Sequence, residues 1–202
     1  MTWPTQAGGS SSDYGHGITS LSDGSSIVTG YFLGTASFGD TTLTSAGKSD
    51  VFIAKLNADG SYAWATKAGG SSRAYGKSIT SLSDGSSIVT GYFNDTANFG
   101  GTTLTSAGRE DVFIAKLNAD GEFEWATKAG GSSRDFGYRI TSLSDGSSIV
   151  TGQFSGTASF GGTTLTSAGE GDVFIAKLNA DGSYAWATKA GGRGIDHGYG
   201  IT

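Results

Sequence analysis

The chain has no cysteine, a single proline, two histidines and charges on only 15% of its 202 residues. Without cysteine there is no disulfide framework and no thiolate metal site. Thirteen basic residues against eighteen acidic ones give a net charge of −5. The basic residues are scattered, so no basic face is available for phosphates and nucleic acid is excluded as a partner. No stretch approaches the ~20 apolar residues of a membrane span. The first twenty residues lack the apolar centre of a signal peptide. No segment shows a helical apolar period with caps, so little or no helix is expected. High glycine (35 residues) with abundant serine and threonine would fit a disordered chain, but 11% aromatics and regular apolar runs argue for a packed core.

What is present is a repeat. Trp3, Trp64, Trp125 and Trp186 stand 61 residues apart, and Ser20-Leu21-Ser22-Asp23-Gly24-Ser25-Ser26-Ile27-Val28-Thr29-Gly30 returns unchanged at 81–91 and 142–152. Between the first two copies, 46 of 61 positions match. A period of this size marks a repeat architecture. Each copy reads as four strands: 17–22, 26–32, 50–56 and 62–67 in the first. Asp23-Gly24 and Asn57-Ala58-Asp59-Gly60 form the turns, and Phe38-Gly39-Asp40-Thr41-Thr42-Leu43 forms a small hairpin in the longer connection. In Asp50-Val51-Phe52-Ile53-Ala54-Lys55-Leu56 both faces are apolar, whereas a half-exposed sheet alternates apolar with polar. A sheet packed between two neighbours buries both faces, as the blade of a β-propeller does. The Gly, Ser and Thr of the first strand suit the crowded innermost position. The expected fold is therefore all-β, a propeller of four-stranded antiparallel blades. Residues 1–202 form a single domain: 1–13 a partial fourth-strand-like segment, 14–72, 75–133 and 136–194 three complete blades, and 195–202 the start of a further first strand.

The run Trp64-Ala65-Thr66-Lys67-Ala68-Gly69-Gly70, followed by Tyr75-Gly76, Ile79-Thr80, Asp84-Gly85 and Ile88-Val89-Thr90-Gly91, resembles the bacterial secreted β-propeller repeat of the SBBP type. Residues 99–108 and Asp111-Val112-Phe113-Ile114-Ala115-Lys116-Leu117 continue the resemblance. It implies a propeller, an extracellular or cell-surface location and no shared catalytic activity. Family members usually carry more units than the three complete ones here.

Differences between copies concentrate in the connection from the fourth strand to the next first strand. Its columns are Ser12/Arg73/Arg134/Ile195, Asp13/Ala74/Asp135/Asp196, Tyr14/Tyr75/Phe136/His197 and His16/Lys77/Tyr138/Tyr199, with Arg139 beside the last. The connection between the second and third strands varies next, at Leu33/Asn94/Ser155, Gly34/Asp95/Gly156 and Lys48/Arg109/Glu170. In an up-and-down blade both connections emerge on one face. Asp13, Tyr14, His16, Arg73, Tyr75, Lys77, Arg134, Asp135, Phe136, Tyr138, Arg139, Asp196, His197 and Tyr199 are accordingly the candidate binding residues. Rings beside Arg and Asp suit glycans and suit protein contacts, where Tyr and Arg are favoured anchors. The competing readings are drift in unconstrained loops and, for Tyr14, Tyr75 and Phe136, rings that plug the gaps between blades.

No catalytic residue, cofactor or metal is expected. His16 and His197 fall in different columns, no cluster has ligand spacing, the Asp-Gly pairs lack the acidic spacing of a calcium loop, and the Gly-Gly pairs lack the strand-loop-helix setting of a phosphate loop. The tryptophan column reads as blade packing. Lys55, Lys116 and Lys177 lie in apolar strands and are expected to meet a carboxylate or reach the rim. Phe52, Phe113, Phe174, Ile27, Ile88 and Ile149 are expected in the core. Three blades do not fill a ring, so the expected partner is the chain itself, with the duplicated terminal segments at the seam. The expected assembly is a six-bladed dimer or a head-to-tail filament. The alternatives are a glycan- or protein-binding module and a piece of a larger propeller.

Overall fold

Strand pairing follows the apolar alternation of the repeat. In a computed structural model describing residues 5–202, seventeen strands run in order. The first copy holds β1 (Ala7–Gly9), β2 (Tyr14–Ser20), β3 (Ser26–Phe32), β4 (Thr35–Phe38), β5 (Thr41–Thr44), β6 (Asp50–Leu56) and β7 (Tyr62–Ala68). The second holds β8 (Ala74–Ser81), β9 (Ser87–Phe99), β10 (Thr102–Leu117) and β11 (Phe123–Gly131). The third holds β12 (Asp135–Ser142), β13 (Ser148–Phe154), β14 (Thr157–Phe160), β15 (Thr163–Thr166), β16 (Asp172–Leu178) and β17 (Tyr184–Ala190). There is no helix among the described residues. Trp3, the first of the tryptophan column, lies outside them.

Three antiparallel sheets follow in succession, built on β2-β3-β6-β7, then β8-β9-β10-β11, then β12-β13-β16-β17; the second continues through β14 and β15 into six strands, and β1-β4-β5 forms a separate three-stranded sheet. Among the described residues no sheet closes on itself. This all-β arrangement is consistent with a β-propeller. The second and third strands of the first sheet occupy the expected 26–32 and 50–56. The first strand begins earlier than expected, at Tyr14, because a register shift at Gly15/Gly17 lets the ladder run on past an irregularity. The Asp-Gly turn is wider than a two-residue hairpin. Leu21 N donates to Ser25 O, and Asp23 Oδ1 accepts from Ser25 N at 2.9 Å, with Gly24 at φ +82°, a left-handed conformation that favours glycine.

The small hairpin β4–β5 is not private to its own copy. β1, which continues the fourth-strand register, pairs with β4 through Ala7↔Phe38 and Gly9↔Ala36. The end of β11 pairs with β14 through Gly130↔Ser159 and Gly131↔Ala158, and Gly69 bridges Asn98 in the same way. The glycine pair after each fourth strand thus adds a strand to the hairpin of the next sheet. The reason for glycine is contact. A Cβ on Gly131 would lie 1.9 Å from the carbonyl oxygen of Thr157.

Two apolar layers fill the seams between sheets. Ile27, Val51 and Ile53 of the first sheet meet Ile79, Val89, Phe93, Phe99 and Phe113 of the second. Ile88, Val112 and Ile114 meet Val150, Phe154 and Phe174 of the third, with Phe160 of β14 beside them. The serines and threonines of the first strands join across the same seams: Thr19 Oγ1 with Ser81 Oγ at 3.1 Å and Thr80 Oγ1 with Ser142 Oγ at 3.0 Å. Tryptophan also packs from one sheet to the next. Trp64 Nε1 donates to Ala119 O at 3.1 Å and Trp125 Nε1 to Ala180 O at 3.2 Å.

The same columns are covered or bare according to position. Ile79 and Ile140 are 5% exposed, whereas Ile18, their counterpart on the first sheet, is 69% exposed. Ile27 and Ile88 are buried, but Ile149 is only half-buried, which corrects its placement in the core. It faces outward from the third sheet, where no neighbour packs. Trp186 is exposed for the same reason. Of the lysines in the third strands, Lys116 meets Glu124 at 2.9 Å and Lys177 meets Asp145 at 3.5 Å.

Candidate functional site

The aromatic columns form one continuous run across all three sheets. Tyr14 stacks on Tyr31 at 4.9 Å between ring centres, Tyr31 meets Tyr75 edge-on at 4.4 Å, and Tyr75 meets Tyr92 at 5.1 Å. Tyr92 meets Phe136 at 4.8 Å, Phe136 stacks on Tyr138 at 6.0 Å, and Tyr138 meets Tyr199 at 5.0 Å. His16 and His197 attach at the two ends, 5.5 Å from Tyr31 and 5.0 Å from Tyr199. Tyr75 and Phe136 therefore sit between neighbouring sheets, where such ring pairs contribute about 0.5–1.5 kcal/mol beyond their area. Lys77 Nζ lies 5.5 Å from the Tyr92 ring centre and 3.2 Å from His16 Nε2. Burial, then the Lys77 and Arg139 charges, hold His16 below its ordinary value. Burial, then Arg139, does the same to Lys77. Arg139 itself is exposed and donates to Tyr138 O at 2.9 Å.

The Asp column turns inward. Asp13, Asp135 and Asp196 accept from the backbone N of Gly9, Gly131 and Gly192 at 2.8, 2.8 and 3.0 Å. They close the loop that starts each sheet. Asp135 is 0% exposed, so it does not belong to an outward binding face. Burial pushes its carboxyl up to about 7. A second acidic column is wholly structural: Asp50, Asp111 and Asp172 are buried and meet Lys67, Lys128 and Lys189 at 3.4, 3.0 and 3.3 Å.

The two variable connections do share a face. Lys48 N donates to Ser72 O at 2.9 Å, and Ser49 and Arg73 form a parallel bridge. A cleft of about 480 Å³ opens there between the first and second sheets. Arg73 lines it, while Arg134 stands in the next cleft, 3.4 Å from Glu110. Sequence reasoning missed Tyr31, Tyr92 and the column Ser49/Glu110/Gly171. Both were marked by variation between copies: the third copy carries Gln153 where the others carry tyrosine, and its amide accepts from the Tyr138 hydroxyl at 3.3 Å. Among the described residues no group of three or more His, Asp or Glu is placed to hold a metal, and no helix is long and apolar enough to cross a membrane.

Successive antiparallel sheets with paired apolar faces are consistent with an all-β repeat domain of the propeller kind. Residues 160–183 match the model of a β-propeller domain family of unknown function, DUF5122. The chain is also 26% identical over 121 residues to an uncharacterized WD repeat-containing protein, L264, of Acanthamoeba polyphaga mimivirus. That match covers 51% of this chain and 9% of the viral protein, so the chain spans less than a tenth of the relative's length. WD repeats are themselves a propeller signature. Both matches support a β-propeller repeat family.

Proposed function

We propose that this is a non-enzymatic repeat domain of four-stranded propeller blades that associates with further copies of itself through its two end faces. The observation that carries this reading is the contrast within single columns. Side chains covered at the inner seams are more open at the ends: Ile18 is 69% exposed and Leu56 half-buried on one face, and Trp186 is 42% exposed and Ile149 half-buried on the other. Because the copies are so alike, the outward face of the third sheet has the shape and chemistry that the first sheet accepts. Open apolar faces and free strand edges favour association. A two-fold pair closing a six-bladed ring and a head-to-tail filament are the two geometries open to it. A surface location of the SBBP kind agrees with such a scaffold.

Light scattering should report a mass above that of one chain at micromolar concentration. Ile18→Asp or Trp186→Glu should return it to the monomer without lowering the melting temperature of the isolated chain. A monodisperse wild-type monomer would overturn the proposal, and so would a mass that both substitutions leave unchanged.

A second reading is favoured by the cleft between the first two sheets. The variable face works as a binding surface for a glycan or a protein. It is compatible with association at the end faces, which lie elsewhere on the sheets.

A further inference from the structure

We propose that the cleft between the first and second sheets binds an acidic oligosaccharide, a sugar chain bearing carboxylate or sulfate groups. This rests on the second reading above and assigns its ligand class. Tyr14, Tyr31 and Tyr75 wall the cleft, and Lys48, Ser49 and Arg73 lie along it.

The repeat supplies its own internal comparison. The backbone frame of this floor recurs at each position. Ser49 pairs with Arg73 and Gly171 with Ile195 in parallel bridges, and Arg109 N donates to Ser133 O at 3.3 Å. The side chains on that frame change sign. The first position carries Lys48, Ser49 and Arg73, the second Arg109, Glu110 and Arg134, the third Glu170, Gly171 and Ile195. In the second, Glu110 already faces Arg134. In the first, neither Lys48 nor Arg73 belongs to an ion pair among the described residues. Two unopposed cations thus converge on one cleft of a molecule whose net charge is −5.

Ser49 adds an independent sign of a ligand. Its hydroxyl is buried, with the residue 2% exposed, and it has no hydrogen-bond partner. A buried polar group without a partner is destabilising, and a hydroxyl or oxyanion reaching it from the cleft relieves that. The walls then select among anions. Tyr14 is 49% exposed and stacks on Tyr31, which leaves a flat apolar surface beside the cations. A sugar ring covers such a surface with its C–H face while its hydroxyls and acid group reach Ser49, Lys48 and Arg73. A bare inorganic anion leaves the rings uncovered. The volume lies within the ~300–1,000 Å³ of small-ligand sites.

Calorimetry on the full chain tests this, with an oligogalacturonate and a heparin-derived hexasaccharide as acidic probes, maltohexaose as the neutral one and an oligoglutamate peptide as the non-sugar anion. At least one acidic saccharide should bind, more weakly as salt rises, and more tightly than maltohexaose or the peptide. Ser49→Glu, which rebuilds the ion pair of the second cleft, should weaken binding at least tenfold with an unchanged melting temperature. Lys48→Ser with Arg73→Ser should abolish it, while Arg109→Ser with Arg134→Ser should leave it intact. Equal binding of the neutral sugar or the peptide overturns the assignment, and so does indifference to Ser49→Glu and to the double substitution. If no acidic saccharide binds, this assignment falls. Binding of a neutral glycan or a protein to the variable face would still uphold the second reading.

Discussion

Replacing Phe113 by alanine should lower stability by about 3–5 kcal/mol, measured as the midpoint shift of a urea or thermal unfolding curve. Phe113 is fully buried in the seam between the first and second sheets, with its ring centre 4.8 Å from that of Phe99. The ring lies against Gly91, where an added Cβ would sit 2.8 Å from Phe113 Cε1 and 1.8 Å from Tyr75 O. Backbone bounds the site on that side, so the cavity cannot collapse and the full cavity penalty is felt. Phe52 provides the control. It occupies the same column on the first sheet, but it lines an open hollow of about 230 Å³ on the bare end face. Phe52→Ala should cost half as much or less in dilute solution, and more where chains associate. A Phe113→Ala variant as stable as the wild type would refute the seam described here.

The second large effect is electrical. Asp111 and Asp135 approach each other behind Gly130, where an added Cβ would lie 2.6 Å from Asp111 Oδ1 and 2.9 Å from Asp135 Oδ2. Asp111 Oδ1 has no hydrogen-bond partner. Burial, against the pull of the Gly131 and Ser155 amides, raises the Asp135 carboxyl to about 7, and the Asp111 charge adds to this. The folded form therefore holds a proton that the unfolded chain releases near its ordinary value of 3.8. The contribution is fully present below that value and is lost as pH rises through about 7. Between pH 5 and 7 Asp135 should lower stability by roughly 1.4 kcal/mol per pH unit, with no further loss above. His16, held below its ordinary value, works in the opposite sense and loses stability as pH falls. Asp135 is therefore isolated by difference. Asp135→Asn removes the titrating group and keeps one of the two backbone acceptors, since Gly131 N and Ser155 N donate to the two carboxylate oxygens. It should be more stable than the wild type at pH 8 and should remove this slope. Parallel pH profiles for the two proteins would show that the pair does not share a proton.

The sheets were legible because period-2 apolar alternation records which faces are covered. Residues 26–32 and 50–56 were bounded to the residue for that reason. The pattern carries no information about which edge accepts a strand's extension. The pairing of Gly130 and Gly131 with β14 was therefore missed, since glycines leave no side-chain signal. Ile149 was misplaced because its column is apolar in every copy, while burial depends on having a neighbour. On the variable face, Arg73, Tyr75 and Lys77 were singled out by their differences between copies; Arg73 and Tyr75 line the cleft and Lys77 lies over the Tyr92 ring. Asp135 was found in the same way but does a different job, because a backbone-capping carboxylate and a ligand-facing one look alike in a sequence. Tyr31 escaped because strand residues were read as core, yet its ring emerges at the seam beside Tyr14.

The side-chain hydrogen bonds that join one sheet to the next span 55, 61 or 62 residues along the chain. Their reach equals about one repeat, whatever the number of repeats. Loop-closure entropy grows with the length of chain that must be closed, so each new sheet docks at the same entropic cost as the one before it. Folding can advance from sheet to sheet as the polypeptide leaves the ribosome, each finished sheet serving as the template for the next. Lengthening such a chain by duplication adds docking steps of equal height, and no single step becomes slower.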